Sequence, residues 1–168
     1  GPGSYQSQAG QSSCTAVAAG YYSFARAATP LACSPGTFRA TPGHSSCLPC
    51  AAGTYQSSPG QSSCTVCPSG SFCTAGVTAP TACPAGSFRG TPAATTPQDC
   101  TPCPAGFACV TGAITPTPCS AGTYTSIAGS AVCAKCPSGT FQGNEQATSC
   151  DSCIAGRYCP LGSASAVP

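Results

Sequence analysis

The chain contains no methionine and no tryptophan, one histidine, one asparagine and three acidic residues. Each shortage removes a class of function. With His44 as the sole imidazole, and Asp99, Glu145 and Asp151 as the only acidic side chains, no constellation for general acid–base or nucleophilic catalysis can be assembled. His44 lies in a Pro-Gly-His-Ser-Ser loop and reads as a solvated loop residue, while Asp99 and Asp151 flank cysteines as turn-forming acids. The five cations, Arg26, Arg39, Arg89, Lys135 and Arg157, are scattered, so there is no stripe for nucleic acid. Asn144 is followed by Glu145 and Gln146, which leaves no N-glycosylation sequon. No apolar run is long enough to span a bilayer, and no signal-peptide pattern opens the chain.

Bulk is scarce as well. Leu, Ile, Val and Phe total 18 of 168 residues, far below ordinary usage and too few to fill one core. The 41% hydrophobic content is carried largely by 28 Ala and 17 Cys. Charged residues make up 5% with a net charge of +2, which is not the composition of a charge-rich disordered chain. What is abundant is cysteine, at the density of a disulfide scaffold. Bridges in such number persist only in an oxidising space, so the expected location is extracellular.

The cysteines belong to a repeat. A glycine follows three positions after a cysteine and an aromatic two beyond it, as in Cys50-Ala-Ala-Gly-Thr-Tyr55 and Cys136-Pro-Ser-Gly-Thr-Phe141. The unit occurs ten times if Val17 and the start of the chain stand in for cysteines, with glycines at Gly3, Gly20, Gly36, Gly53, Gly70, Gly86, Gly106, Gly122, Gly139 and Gly156. Nine of the ten aromatics are in register, and Phe107 is one position early. Long modules run from Cys33 to Cys47, Cys50 to Cys64, Cys119 to Cys133 and Cys136 to Cys150, with Cys83 to Cys100 three residues longer. Short ones run from Cys67 to Cys73, Cys103 to Cys109 and Cys153 to Cys159. Their order divides the chain into two super-repeats, 1–82 (modules 1–32 and 33–82) and 83–168 (modules 83–118 and 119–168).

Connectivity follows from an internal comparison. Ser13–Ser23 reads SCTAVAAGYYS and Ser63–Cys73 reads SCTVCPSGSFC, so Val17 and Ser23 replace two cysteines together. A bridge lost as a unit explains the joint replacement, and a crossed pattern would orphan other cysteines. Sequential pairing is therefore expected: Cys33–Cys47, Cys50–Cys64, Cys67–Cys73, Cys83–Cys100, Cys103–Cys109, Cys119–Cys133, Cys136–Cys150 and Cys153–Cys159. Cys14 is left over, its partner expected one place before Gly1, outside this fragment; a free reactive thiol or an intermolecular bridge is the rival reading. Each 15-residue loop is worth roughly 3 kcal/mol and each seven-residue loop roughly 2 kcal/mol in the chain-entropy account, enough together to replace a missing core. In the module without a bridge, Tyr21, Tyr22 and Phe24 are expected to form a small apolar cluster in the cystine's role. The anticipated fold is small and disulfide-rich: an elongated rod of stacked cysteine-rich modules with short two-stranded β ladders and little or no helix.

The run Cys50-x2-Gly53-x-Tyr55…Cys64-x2-Cys67-x2-Gly70-x-Phe72-Cys73 resembles the ephrin-receptor-like cysteine-rich repeats. More loosely it is similar to the cysteine-rich modules of growth-factor and tumour-necrosis-factor receptors. The resemblance implies an extracellular stack whose Gly-Tyr modules pair their first two cysteines, and it specifies no ligand. Poverty of charge and the lack of a crossed three-bridge module are departures that weigh against a charged ligand-binding face.

Five Cys-x-x-Cys pairs, such as Cys47/Cys50, invite a zinc reading, but each is a junction between modules and none has a histidine beside it. A redox role would need a single activated pair, so no cofactor is expected. Thr-Pro pairs stand out instead, at Thr29-Pro30, Thr41-Pro42, Thr91-Pro92, Thr115-Pro116 and Thr117-Pro118. They suit covalent glycans on threonine or hydroxylated proline, or else simply stiffen the connectors. The expected function is a structural spacer of an extracellular fibre, cell wall or flagellar-hair-type appendage, partnered by self-association or by continuation of the same repeat. The alternative is the stalk or ligand-binding ectodomain of a surface receptor or adhesin.

Overall fold

The computed structural model describes residues 1–168. Every ladder is two residues long on each side and antiparallel. The first pairs β1 (Ser4–Tyr5) with β2 (Thr15–Ala16), and β3 (Tyr21–Tyr22) then pairs with β4 (Leu31–Ala32). There follow β5 (Thr37–Phe38) with β6 (Leu48–Pro49), β7 (Thr54–Tyr55) with β8 (Thr65–Val66), and β9 (Ser71–Phe72) with β10 (Thr81–Ala82). The rest are β11 (Ser87–Phe88) with β12 (Thr101–Pro102), β13 (Phe107–Ala108) with β14 (Thr117–Pro118), β15 (Thr123–Tyr124) with β16 (Ala134–Lys135), and β17 (Thr140–Phe141) with β18 (Asp151–Ser152). The only helical turn is a 3₁₀ segment, Pro97–Asp99, formed by the three extra residues of the Cys83 module. The fold is thus a succession of small disulfide-rich modules with almost no helix.

The contacts divide the chain into two compact units. One comprises Gly1–Pro68, Phe72–Thr81 and Pro92–Thr96; the other comprises Ser69–Ser71, Ala82–Thr91 and Pro97–Pro168.

Neither unit has an ordinary apolar core. All three Leu and all three Ile are exposed, while Cys33, Cys50, Cys67, Cys83, Cys103 and Cys136 are wholly inaccessible. The interior is therefore a string of opening cysteines, and hydrogen bonding by the backbone joins one module to the next. The amide of every repeat glycine except Gly156 donates to the carbonyl six positions past the next module's opening residue. The nine such bonds span 2.7–2.9 Å, among them Gly20 to Arg39, Gly53 to Cys73 and Gly106 to Thr125. The opening cysteine's amide then donates to the preceding glycine's carbonyl, as in Cys50 to Gly36 at 2.9 Å. A third bond runs back from a left-handed residue in the outer loop to the preceding module's opening carbonyl, as in Gly60 to Cys33 at 2.8 Å. All three are made by main-chain groups, which must be paired when buried.

The repeat glycine is required at both of its tasks. Gly53 has φ +84°, and a Cβ there would stand 2.8 Å from the carbonyl oxygen of Ala93, in the module two further on. Gly20 meets the carbonyl of Gly60 in the same manner. Stacking thus reaches beyond the adjacent module.

Candidate functional site

Eight disulfides join Cys33–Cys47, Cys50–Cys64, Cys67–Cys73, Cys83–Cys100, Cys103–Cys109, Cys119–Cys133, Cys136–Cys150 and Cys153–Cys159. Their Cα–Cα separations, 5.6–5.9 Å, lie in the ordinary range. Each Cys-x-x-Cys pair is split between two loops, so neither thiolate is free to hold a metal. Cys14 is unpaired and exposed.

Each long module carries a second, polar clasp that the sequence reading missed. Gln56, the residue after the aromatic, is buried; its Nε2 donates to the carbonyl of Ser63 at 2.8 Å, and its Oε1 accepts from the amide of Ser58 at 3.0 Å. Gln142 repeats this with Ser149 (2.9 Å) and Asn144 (2.9 Å), and Gln6 with Ser13 (2.6 Å) and Gln8 (3.0 Å). The same place holds Arg89, whose guanidinium reaches the carbonyls of Thr91 and Asp99 at 3.1 Å, and Thr125, which shares a 2.6 Å bond with Ser130. Short modules have their closing cystine sulfur there instead. The signal was visible as an aromatic followed by Gln, Arg or Thr after each long-module glycine.

In the Cys33 module the clasp is Arg39. Its guanidinium donates to Nδ1 of His44, so the proton of the neutral ring lies on Nε2, which donates to Oγ1 of Thr41 at 2.8 Å. His44 is half-buried and bonded on both nitrogens, which corrects the expectation of a solvated loop residue.

The module lacking a bridge also differs from expectation. Val17 and Ser23 are themselves completely buried, and the Ser23 hydroxyl donates to the carbonyl of Ser4 at 3.0 Å. A small apolar side chain and a satisfied hydroxyl thus occupy the cystine's place. The aromatics lie outside it: Tyr22 and Phe24 meet edge to face with centroids 5.5 Å apart, and Phe24 is 60% exposed. The cystine's role is filled by the two replacing residues rather than by an aromatic cluster.

The hydroxyls of the connectors face solvent. Thr29, Thr41, Thr91, Thr115 and Thr117 are all exposed, as are Pro42, Pro92 and Pro118, while Pro30 and Pro116 are half-buried. Among the five threonines only the Thr41 side chain is already hydrogen-bonded.

A tandem of glycine-seated, cystine-closed two-strand modules defines the class of extracellular, receptor-type cysteine-rich domains, a non-catalytic kind of module. The chain belongs to the family described as tyrosine-protein kinase ephrin type A/B receptor-like, whose sequence model matches residues 36–78, 106–153 and 122–165, more than half of its length. Each match begins on a repeat glycine, and the two overlapping ones start one module apart, as a tandem repeat allows. No curated protein matches the chain. The family and the bridges together point to an extracellular or surface location. No helix is long and apolar enough to cross a membrane.

Proposed function

We propose that the chain is a structural spacer of an extracellular fibre, cell wall or flagellar-hair-type appendage, stapled by its disulfides and O-glycosylated at exposed threonines. The observation that carries this reading is the side-chain independence of the stacking bonds. The same three main-chain contacts recur from module to module, whatever residues occupy the outer loops, as suits a part made to be repeated. Its partners are further copies of the same repeat, in this chain or another, and covalent glycans. Glycans attach at Thr29, Thr91, Thr115 and Thr117, and at hydroxylated Pro30, Pro42, Pro92, Pro116 or Pro118; Thr41 is used least because its hydroxyl already serves His44.

Electron microscopy of the native particle, with glycopeptide mapping, tests the reading. A polymer carrying sugars on these connectors supports it. A monomeric, membrane-tethered product with bare connectors would replace it with the second reading, the stalk or ligand-binding ectodomain of a receptor or adhesin. That reading draws on the family and on the exposed Phe24.

A further inference from the structure

One surface feature has no counterpart in the repeat. Seven positions past its opening residue each module carries Ser7, Ala40, Ser57, Thr74, Gly90, Val110, Ser126, Gly143 or Pro160, and only the Val17 module has an aromatic, Phe24. Phe24 fills no core, being 60% exposed, and it stands at 89° to Tyr22. The two rings wall a surface pocket of about 260 Å³ whose other lining groups include Ser34, Thr37, Ser45 and Ser46.

The chemistry of this pocket is specific. No charged side chain lines it. Ser34, Ser45 and Ser46 are exposed and their hydroxyls are hydrogen-bonded to no protein group, while Thr37 donates to the carbonyl of Ser34 at 2.7 Å and keeps its acceptor lone pairs. Each hydroxyl both donates and accepts, so the rim answers a ligand that does the same. An apolar ligand would strip water from that rim and replace it with nothing. A proline-rich peptide needs an extended aromatic-lined groove, and two perpendicular rings make a corner. A sugar ring has the required pair of faces: C–H bonds to lie against an aromatic face, and hydroxyls around its edge. The volume falls below the ~300 Å³ at which pockets for drug-sized ligands begin, so the site takes one ring.

We propose that this pocket binds a single uncharged sugar ring, its apolar face on Phe24 and its hydroxyls on Ser34, Ser45 and Ser46. This stands apart from the spacer reading, since a receptor stalk could carry the same site.

The test is a heteronuclear NMR titration of the oxidised 168-residue chain, free of glycans, with methyl hexosides and methyl pentosides. At least one glycoside should bind with a Kd on the order of millimolar, with shifts confined to Tyr22–Phe24, Ser34–Thr37 and Ser45–Cys47. Phe24→Ala should abolish binding and Phe24→Tyr should retain it. Ser45→Ala with Ser46→Ala should weaken it severalfold, disulfide mapping having shown that the bridges are intact. Absence of shifts at about 50 mM of every glycoside overturns the proposal. So does unchanged binding by Phe24→Ala, or a response to proline-rich peptide alone. The source of the sugar is read from the glycosylated chain. Self-association dispersed by free glycoside identifies a neighbouring copy's glycan, and retention on immobilised polysaccharide without self-association identifies an external one; each requires the site.

Discussion

Gly53 lies against the carbonyl of Ala93, two modules further along, so closely that the seat admits no Cβ. Gly139 has the same left-handed backbone, φ +86°, but nothing within 4 Å of where its Cβ would stand. Replacing each by alanine separates conformation from packing. Gly139→Ala should cost only the left-handed penalty, about 1–2 kcal/mol, whereas Gly53→Ala should cost that and a displaced carbonyl besides. Thermal unfolding followed by circular dichroism should show the larger loss for Gly53→Ala. Equal losses would mean that the seat contributes nothing.

Three residues pay the left-handed penalty with a side chain: Arg26, Ala93 and Gln146, at φ 63°, 64° and 60°. All stand where sibling modules have glycine, at Gly43, Gly60, Gly76, Gly112, Gly129 and Gly162. Ala93→Gly and Gln146→Gly should therefore raise stability, each by up to about 1 kcal/mol once glycine's greater unfolded-state entropy is deducted. The same melting experiment decides the sign.

Val17 and Ser23 occupy a cystine's place, so Val17→Cys with Ser23→Cys should close a ninth bridge on oxidation. A seven-residue loop of that kind is worth roughly 2 kcal/mol in the chain-entropy account. Non-reducing peptide mapping should find the new link joining these two residues and the original eight undisturbed. Ser23→Ala alone removes the donor to Ser4 and should cost about 1 kcal/mol.

Gln56→Ala tests the polar clasp. It leaves the amide of Ser58 and the carbonyl of Ser63 without their partner while the Cys50–Cys64 bridge remains. Hydrogen exchange at Ser58 should accelerate by about tenfold, with the Gln142 loop unaffected.

Cys14 should be the one thiol that maleimide labels in the unreduced, denatured chain, because it alone is unbridged. Its ladder, Ser4 against Ala16 and Tyr5 against Thr15, has the register of Thr37 against Pro49 and Phe38 against Leu48. A cysteine added immediately before Gly1 would then stand where Cys33 stands to Cys47, and should consume the thiol.

The paired cysteines and the glycine positions were legible because each depends on residue identity: no other side chain makes a bridge, and few residues tolerate φ near +80°. Stacking on the module two ahead was not, since the partner of Gly53 is a carbonyl, which every residue has. The Val17 module misled for a related reason. Three aromatics promise an apolar cluster, but the space a cystine vacates is small, and Val17 and Ser23 already fill it. Phe107 shows which element sets the register. It sits one place early, yet its ladder pairs Phe107 with Pro118 and Ala108 with Thr117, at the same backbone positions as its siblings. The main chain keeps step and the ring gives way.

The three extra residues of the Cys83 module turn back on themselves as Pro97–Asp99, and immediately afterwards Phe88 meets Thr101 and Ser87 meets Pro102 in the usual register. Added length is shed sideways into the loop before it reaches the ladder. Such a chain can accept added residues at the Pro97–Asp99 turn, past the Ala93 and Ala94 carbonyls on which Gly53 and Cys73 rest, without disturbing the ladder that follows, which makes that turn the natural place to graft a new recognition surface.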